Sequence, residues 1–145
     1  MSVVQNVKRF KKKYPLTIAW RLKSNAKVVE MHLNPDEEVK YVFTGQKNNK
    51  FYDIFSTCVI AITNKRILIG RKRVFLGYFL NSITPDLFND LKVSGGLIWG
   101  KIYIDTVKEF VTLSNISNDA LTEIETQISD YMMEMKQRYS KEKED

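Results

Sequence analysis

The hydrophobic period of this chain changes twice. Up to Val29 the apolar residues recur at helical spacing. From Val39 to Leu113 they recur in short alternating or β-branched runs broken by turns, and from Leu121 to Met135 the helical spacing returns. Successive side chains turn by roughly 100° on a helix and alternate faces on a strand, so the two periods cannot share one element. The chain is therefore restricted to a mainly antiparallel β unit flanked by helices, an α+β architecture.

The pattern can be placed residue by residue. Val3, Val7, Phe10 and Tyr14 line one helix face, and Pro15 ends that helix or begins the next. Ile18, Leu22, Ala26 and Val29 mark a second amphipathic stretch, broken at Asn34-Pro35-Asp36. Val39, Tyr41 and Phe43 alternate with Lys40, Val42 and Thr44 in a strand ending at Gly45, and a polar loop follows over 46–50. Cys58 to Thr63 and Arg66 to Ile69 form a hairpin about Thr63-Asn64-Lys65, with Asn64 expected at positive φ. Arg71-Lys72-Arg73 is the expected next turn and Val74 to Leu80 the third strand of the meander. Thr84-Pro85-Asp86 reads as a capped start of a short helix to Asn89. Leu91 to Val93, the Gly95-Gly96 turn, Leu97 to Ile104 and Glu109 to Leu113 complete the strands, with Ile98, Gly100, Ile102 and Ile104 on one face. Ser117 or Asn118 then caps a helix whose stripe is Leu121, Ile124, Ile128, Tyr131 and Met135, and the charged tail at 141–145 is expected to fray.

Composition narrows the function classes. The 145 residues suit one domain, and 43% hydrophobic with 28% charged residues is ordinary globular composition. Cys58 is the single cysteine and His32 the single histidine, which excludes an internal disulfide and a zinc site of the usual Cys/His kind, so no metal or cofactor is expected. No apolar run approaches the roughly 20 residues of a membrane span, and the N-terminus lacks the apolar core of a secretory signal. The expected location is cytoplasmic, with peripheral membrane contact open to it. The net charge of +6 is concentrated: residues 1–30 hold eight basic side chains against Glu30 alone, and the remainder is close to neutral.

The chain resembles the bacterial PH-like (pleckstrin-homology) domains of the YokE-like type. The matching stretches are Pro35 to Glu38 with Val39 to Gln46, Val59 to Ile69, Leu97 to Ile104, and Leu113 to Ile116 before the last helix, and the Thr63-Asn64-Lys65-Arg66 hairpin is the most specific of them. The resemblance implies a half-open barrel of about seven antiparallel strands capped by a C-terminal helix. It also implies a binding or assembly module without general catalytic activity, prone to edge-to-edge assembly. The expected organisation is a basic N-terminal helical arm at 1–33, a self-sufficient PH-like domain at 36–140, and a tail at 141–145.

The chemistry offered is that of binding. Cys58 lies within an apolar strand and reads as a buried, inert thiol; a nucleophile–base pair with His32, as in a weak hydrolase, is the disfavoured third reading. No paired acids or phosphate loop appear, so the chain reads as no enzyme. In PH-like folds the loop after the first strand can hold a phosphorylated headgroup. Lys47 and Lys50 stand in that loop, and Arg71, Lys72 and Arg73 could share its rim. The second strand, Cys58-Val59-Ile60-Ala61, carries no basic residue, unlike the phosphoinositide-binding pattern. In the arm, Lys8, Arg9, Lys11, Lys12 and Lys13 surround Phe10 and either stay wet on a packed helix or meet an anionic membrane surface. Base-reading motifs are absent, so nucleic acid is a disfavoured partner and any contact with it non-specific. Apolar residues on both faces of 74–80 single out Phe75, Tyr78 and Phe79 as an oligomer interface. The expected function is a non-enzymatic binding or assembly module forming homo-oligomers. The alternative is a peripheral binder of anionic surfaces through the basic arm.

Overall fold

A computed structural model describes residues 2–144. Helix α1 (Val3–Lys13) starts at Ser2, whose hydroxyl accepts from the Gln5 N–H while the Gln5 side chain accepts from the Ser2 N–H. This reciprocal cap satisfies two otherwise orphaned donors. Helix α2 (Leu22–Met31) leads into seven strands: β1 (Val39–Gln46), β2 (Thr57–Thr63), β3 (Ile67–Lys72), β4 (Tyr78–Ile83), β5 (Phe88–Ser94), β6 (Trp99–Thr106) and β7 (Phe110–Ser117). Helix α3 (Leu121–Glu144) follows. All strand pairs are antiparallel, in the order β4-β3-β2-β1-β7-β6-β5. β1 and β7 are paired through Gln46, the last residue of β1, and Ser114, in the middle of β7, so the sheet bends there into two halves of an open barrel.

Alternation along the strands builds two apolar layers. Phe43, Ile60, Ile62, Ile69, Ile102 and Leu113 point inward and meet Ile124, Ile128 and Tyr131 of α3. Val42, Val59, Ala61 and Leu68 point outward and meet Val3 and Val7 of α1 with Ala26 and Val29 of α2. Every residue of β2 is consequently buried. Continuous rather than alternating apolar character suits a strand covered on both faces, which explains the unbroken Val59-Ile60-Ala61-Ile62 run. The N-terminal segment is thus a third layer of the fold and covers the outer sheet face that a self-sufficient 36–140 unit would expose.

Several local expectations are corrected. Arg71 and Lys72 belong to β3, and the turn is Arg73 to Gly77, closed by the Arg73 N–H to the Gly77 carbonyl at 3.0 Å, with Gly77 at φ +84°. Residues 74–77 are therefore a hairpin tip, and the strand begins at Tyr78. Asn64 is not among the residues at positive φ; its side chain instead accepts from the Glu38 N–H at 2.8 Å. Pro85–Leu87 is a single 3-10 turn without a Thr84 side-chain cap. Asn118 clamps Gly96 by two hydrogen bonds rather than capping α3. Ile98 precedes β6, whose buried face is Gly100, Ile102, Ile104 and Thr106. β7 extends to Ser117 because its polar second half finds buried partners. Of the 141–145 tail, 141–144 continue α3 and Asp145 lies outside the described residues.

Candidate anion-binding end of the barrel

The β1–β2 loop is organised by Gln46, a fully buried amide. Its Nε2 donates to Asn48 Oδ1 and to the Lys50 carbonyl, and its Oε1 accepts from the Asp53 N–H at 2.6 Å and from Asn115 Nδ2 at 2.6 Å. Asn48 in turn donates to Asp53 Oδ2 at 2.9 Å and to Ser56 Oγ at 2.8 Å. A buried amide this fully partnered rigidifies what would otherwise be a floppy polar loop. The Ser56 hydroxyl and, against a smaller opposing effect of burial, Asn48 and the charge of Lys50 hold the Asp53 carboxyl below its ordinary value. Composition alone marks this segment only as a polar loop, because its order depends on Asn115, far away in sequence.

The five candidate cations do not share one site. Lys47 and Arg71 converge on a cavity of about 270 Å3 over Cys58 and Phe79, and among the described residues no carboxylate lines it. Asn81, which also lines the cavity, donates to Glu109 at 2.9 Å. Arg71 lies 4.7 Å above the Phe79 ring and donates to the Phe55 carbonyl at 2.8 Å. Arg73 lies 5.1 Å from the same ring, so both guanidinium groups contact one aromatic side chain. Lys72 turns the other way: its N–H donates to Asn25 Oδ1, and it lines a separate groove beside α2 with Tyr78. Lys50 contributes its backbone to the Gln46 network and its charge to Asp53. Among the described residues, none of Lys47, Arg71, Lys72 and Arg73 is in an ion pair.

Two of the sequence stretches that carry the resemblance, the acidic entry and the 63–66 hairpin, meet at the opposite end. Arg66 grips Glu37 through Nε at 3.0 Å and Nη2 at 3.0 Å, and Nη2 also reaches the His32 carbonyl at 2.9 Å. Thr63 Oγ1 donates to the same carboxylate, and Lys65 pairs with Asp36 at 2.7 Å. The acidic entry and the Thr-Asn-Lys-Arg hairpin are thus one staple between β1 and β2. The model of the bacterial PH domain family matches residues 33–130, two thirds of the chain. The chain belongs to the bacterial PH domain family. No curated protein matches it.

In this PH domain the matched region begins after α2, so the basic helix lies outside it. Two of its five clustered cations are already engaged. Lys11 Nζ donates to the Pro15 and Thr17 carbonyls, both at 2.6 Å, and burial lowers its pKa. Lys13 pairs with Glu123 at 2.6 Å, and Tyr41 donates to the other oxygen of that carboxylate at 2.7 Å, tying α1, β1 and α3 together. Lys8, Arg9 and Lys12 are exposed.

The remaining candidates separate in the same way. Cys58 is buried; desolvation, opposed by Lys47 and Arg71, pushes its thiol up to about 12, and Sγ is directed to the Gly45 carbonyl at 3.4 Å. His32 engages the Val28 carbonyl at 2.7 Å and Tyr78 Oη at 3.2 Å, so the two residues have different partners. Tyr78 packs at a tilt against His32 and Phe79 contacts the two arginines, so Tyr78 and Phe79 have different partners within the subunit. Among the described residues no helix is long and apolar enough to cross a membrane.

Proposed function

We propose that this bacterial PH domain is a non-enzymatic binding module whose open end takes a phosphate-bearing anion, and that within the family it falls with the YokE-like type. Lys47 and Arg71 are the principal contacts and Arg73 an outer cation. The observation that carries this reading is the cavity where Lys47 and Arg71 converge without a lining carboxylate. A guanidinium presents several N–H donors in a plane that matches phosphate oxygens, and Arg71 spends one on Phe55. The Phe79 ring and the Phe55 carbonyl hold the Arg71 side chain in place before a ligand arrives, which lowers the ordering cost of binding. Lys50 and Lys72 lie outside this group. A contact of the arm with an anionic surface would fall to Lys8, Arg9 and Lys12.

Assembly into homo-oligomers is the second reading, and the exposed hairpin tip favours it. Phe79 and Tyr78 are already engaged within the subunit, which leaves Phe75 as the free aromatic.

The test is amide NMR of the full-length protein titrated with inorganic phosphate and with sn-glycerol phosphate at low salt. Shifts are expected at Lys47, Asn48, Arg71 and Arg73. Arg71→Gln should weaken binding by about tenfold or more, the scale of a lost hydrogen bond to a charged group. Shifts confined to α1, or equal affinity of wild type and Arg71→Gln, would reject the site.

A further inference from the structure

We infer that the tip of the β3–β4 hairpin is an apolar finger that enters an anionic lipid bilayer. The inference rests on the phosphate-site reading for its headgroup contacts. A hairpin tip is ordinarily made of glycine, asparagine, aspartate, proline or serine, because such residues satisfy the turn and stay wet. Here the tip is Val74-Phe75-Leu76, with exposures of 55%, 94% and 77%. The left-handed turn at Gly77 closes the hairpin, and among the described residues no element covers the tip.

The surroundings of the tip select its occupant. At its base stand Arg71 and Arg73, both on Phe79, with Lys72 in the adjoining groove. Arg21 Nη1 reaches the Arg73 carbonyl at 3.4 Å. Among the described residues none of these four cations is in an ion pair. Trp20 stacks edge-on against Phe55 at 5.1 Å, and both are joined to this collar, Phe55 through Arg71 and Trp20 under Arg21. An apolar tip, a cationic collar and a partly exposed tryptophan supply the three kinds of contact a membrane interface offers, with the acyl chains, the anionic headgroups and the interfacial belt. A two-fold contact between copies would bury the same tip against itself. It would also bring the four unpaired cations of one collar towards those of the other, which opposes that occupant.

Co-sedimentation of the full-length protein with vesicles tests this, using phosphatidylcholine alone and phosphatidylcholine with one third phosphatidylglycerol. Wild type is expected to bind the anionic vesicles, and less so as salt rises. Phe75→Ser with Leu76→Ser should weaken that binding about tenfold or more, since each side chain no longer buries apolar area. The same variant should keep the phosphate-induced shifts at Lys47 and Arg71. Phe75→Trp should show blue-shifted emission on anionic vesicles and quenching by brominated acyl chains. Vesicle binding equal to wild type in the serine variant overturns the finger while leaving the phosphate site standing. Absent phosphate shifts with Phe75-dependent vesicle binding would overturn only the phosphate site. No binding by wild type overturns the finger, as does a dimer that dissociates in the serine variant without vesicle binding.

Discussion

Glu37 shows how one side chain can hold two distant parts of a sequence. Burial acts to raise its pKa, but the hydrogen bonds from Arg66, Thr63 and the Asn34 N–H, with the charge of Arg66, outweigh it and hold the carboxyl below the ordinary 4.5. Because the folded value is depressed, the stabilisation is fully present above that ordinary value and is lost as pH falls through the folded one. Urea unfolding of wild type and Glu37→Ala should therefore converge as pH drops below about 4. At neutral pH the variant should lose about 1–3 kcal/mol, the cost of leaving the part-buried Arg66 without its charged hydrogen-bond partner. Gly70 makes a second residue-scale case: a Cβ there would stand 2.7 Å from Val29 Cγ2, which lets α2 lie on β3. Gly70→Ala should cost about 1–3 kcal/mol by overpacking, read from the same unfolding curves. Cys58 should resist a thiol reagent in the native protein and react after unfolding; rapid native labelling would contradict its burial.

The two N-terminal helices matter most at the scale of elements. Charge makes α1 look like an arm awaiting a partner, but Val3, Val7 and Phe10 are buried while Lys11 and Lys13 stitch it down. A chain beginning at residue 36 would expose Val42, Val59, Ala61 and Leu68 to water. Such a truncation should bind a hydrophobic dye and lose cooperative thermal unfolding, and a sharp native-like melt would show that the arm is dispensable. A Lys11→Ala, Lys12→Ala, Lys13→Ala triple variant mixes two structural lysines with an exposed one. Lys12→Gln isolates the exposed charge and should leave the melting temperature within a degree or two, as a surface change away from such features does.

The whole molecule is two-ended. One end is stapled by Glu37, Arg66 and the 63–66 hairpin, and the other presents the ordered β1–β2 loop, the Lys47–Arg71 cavity and the apolar hairpin tip. Cohesion at the first end leaves the second free to carry ligand chemistry without weakening the core. With the tip reserved for a membrane, full-length protein in dilute buffer should sediment as a monomer. An oligomer that persists in the Phe75→Ser, Leu76→Ser variant would place a self-contact elsewhere on the surface.

The number of strands, the capping helix and the bacterial PH family were legible in the sequence, because periodicity and tight turns are local and the Thr63–Arg66 stretch is specific. The β6 face with Gly100, Ile102 and Ile104 was legible for the same reason. The extent of β3 and the hairpin tip were not. Arg71-Lys72-Arg73 has turn-like composition and Val74-Phe75-Leu76 strand-like composition, and pairing with β4 reversed both assignments. Nor were the cations sorted while 71–73 read as a turn: once Arg71 and Lys72 belong to β3, the alternation of a strand sends them to opposite sides. Only tertiary structure decides that Lys47 and Arg71 share a cavity and that Lys11 and Lys13 are engaged, because those outcomes depend on contacts between elements that no local pattern encodes.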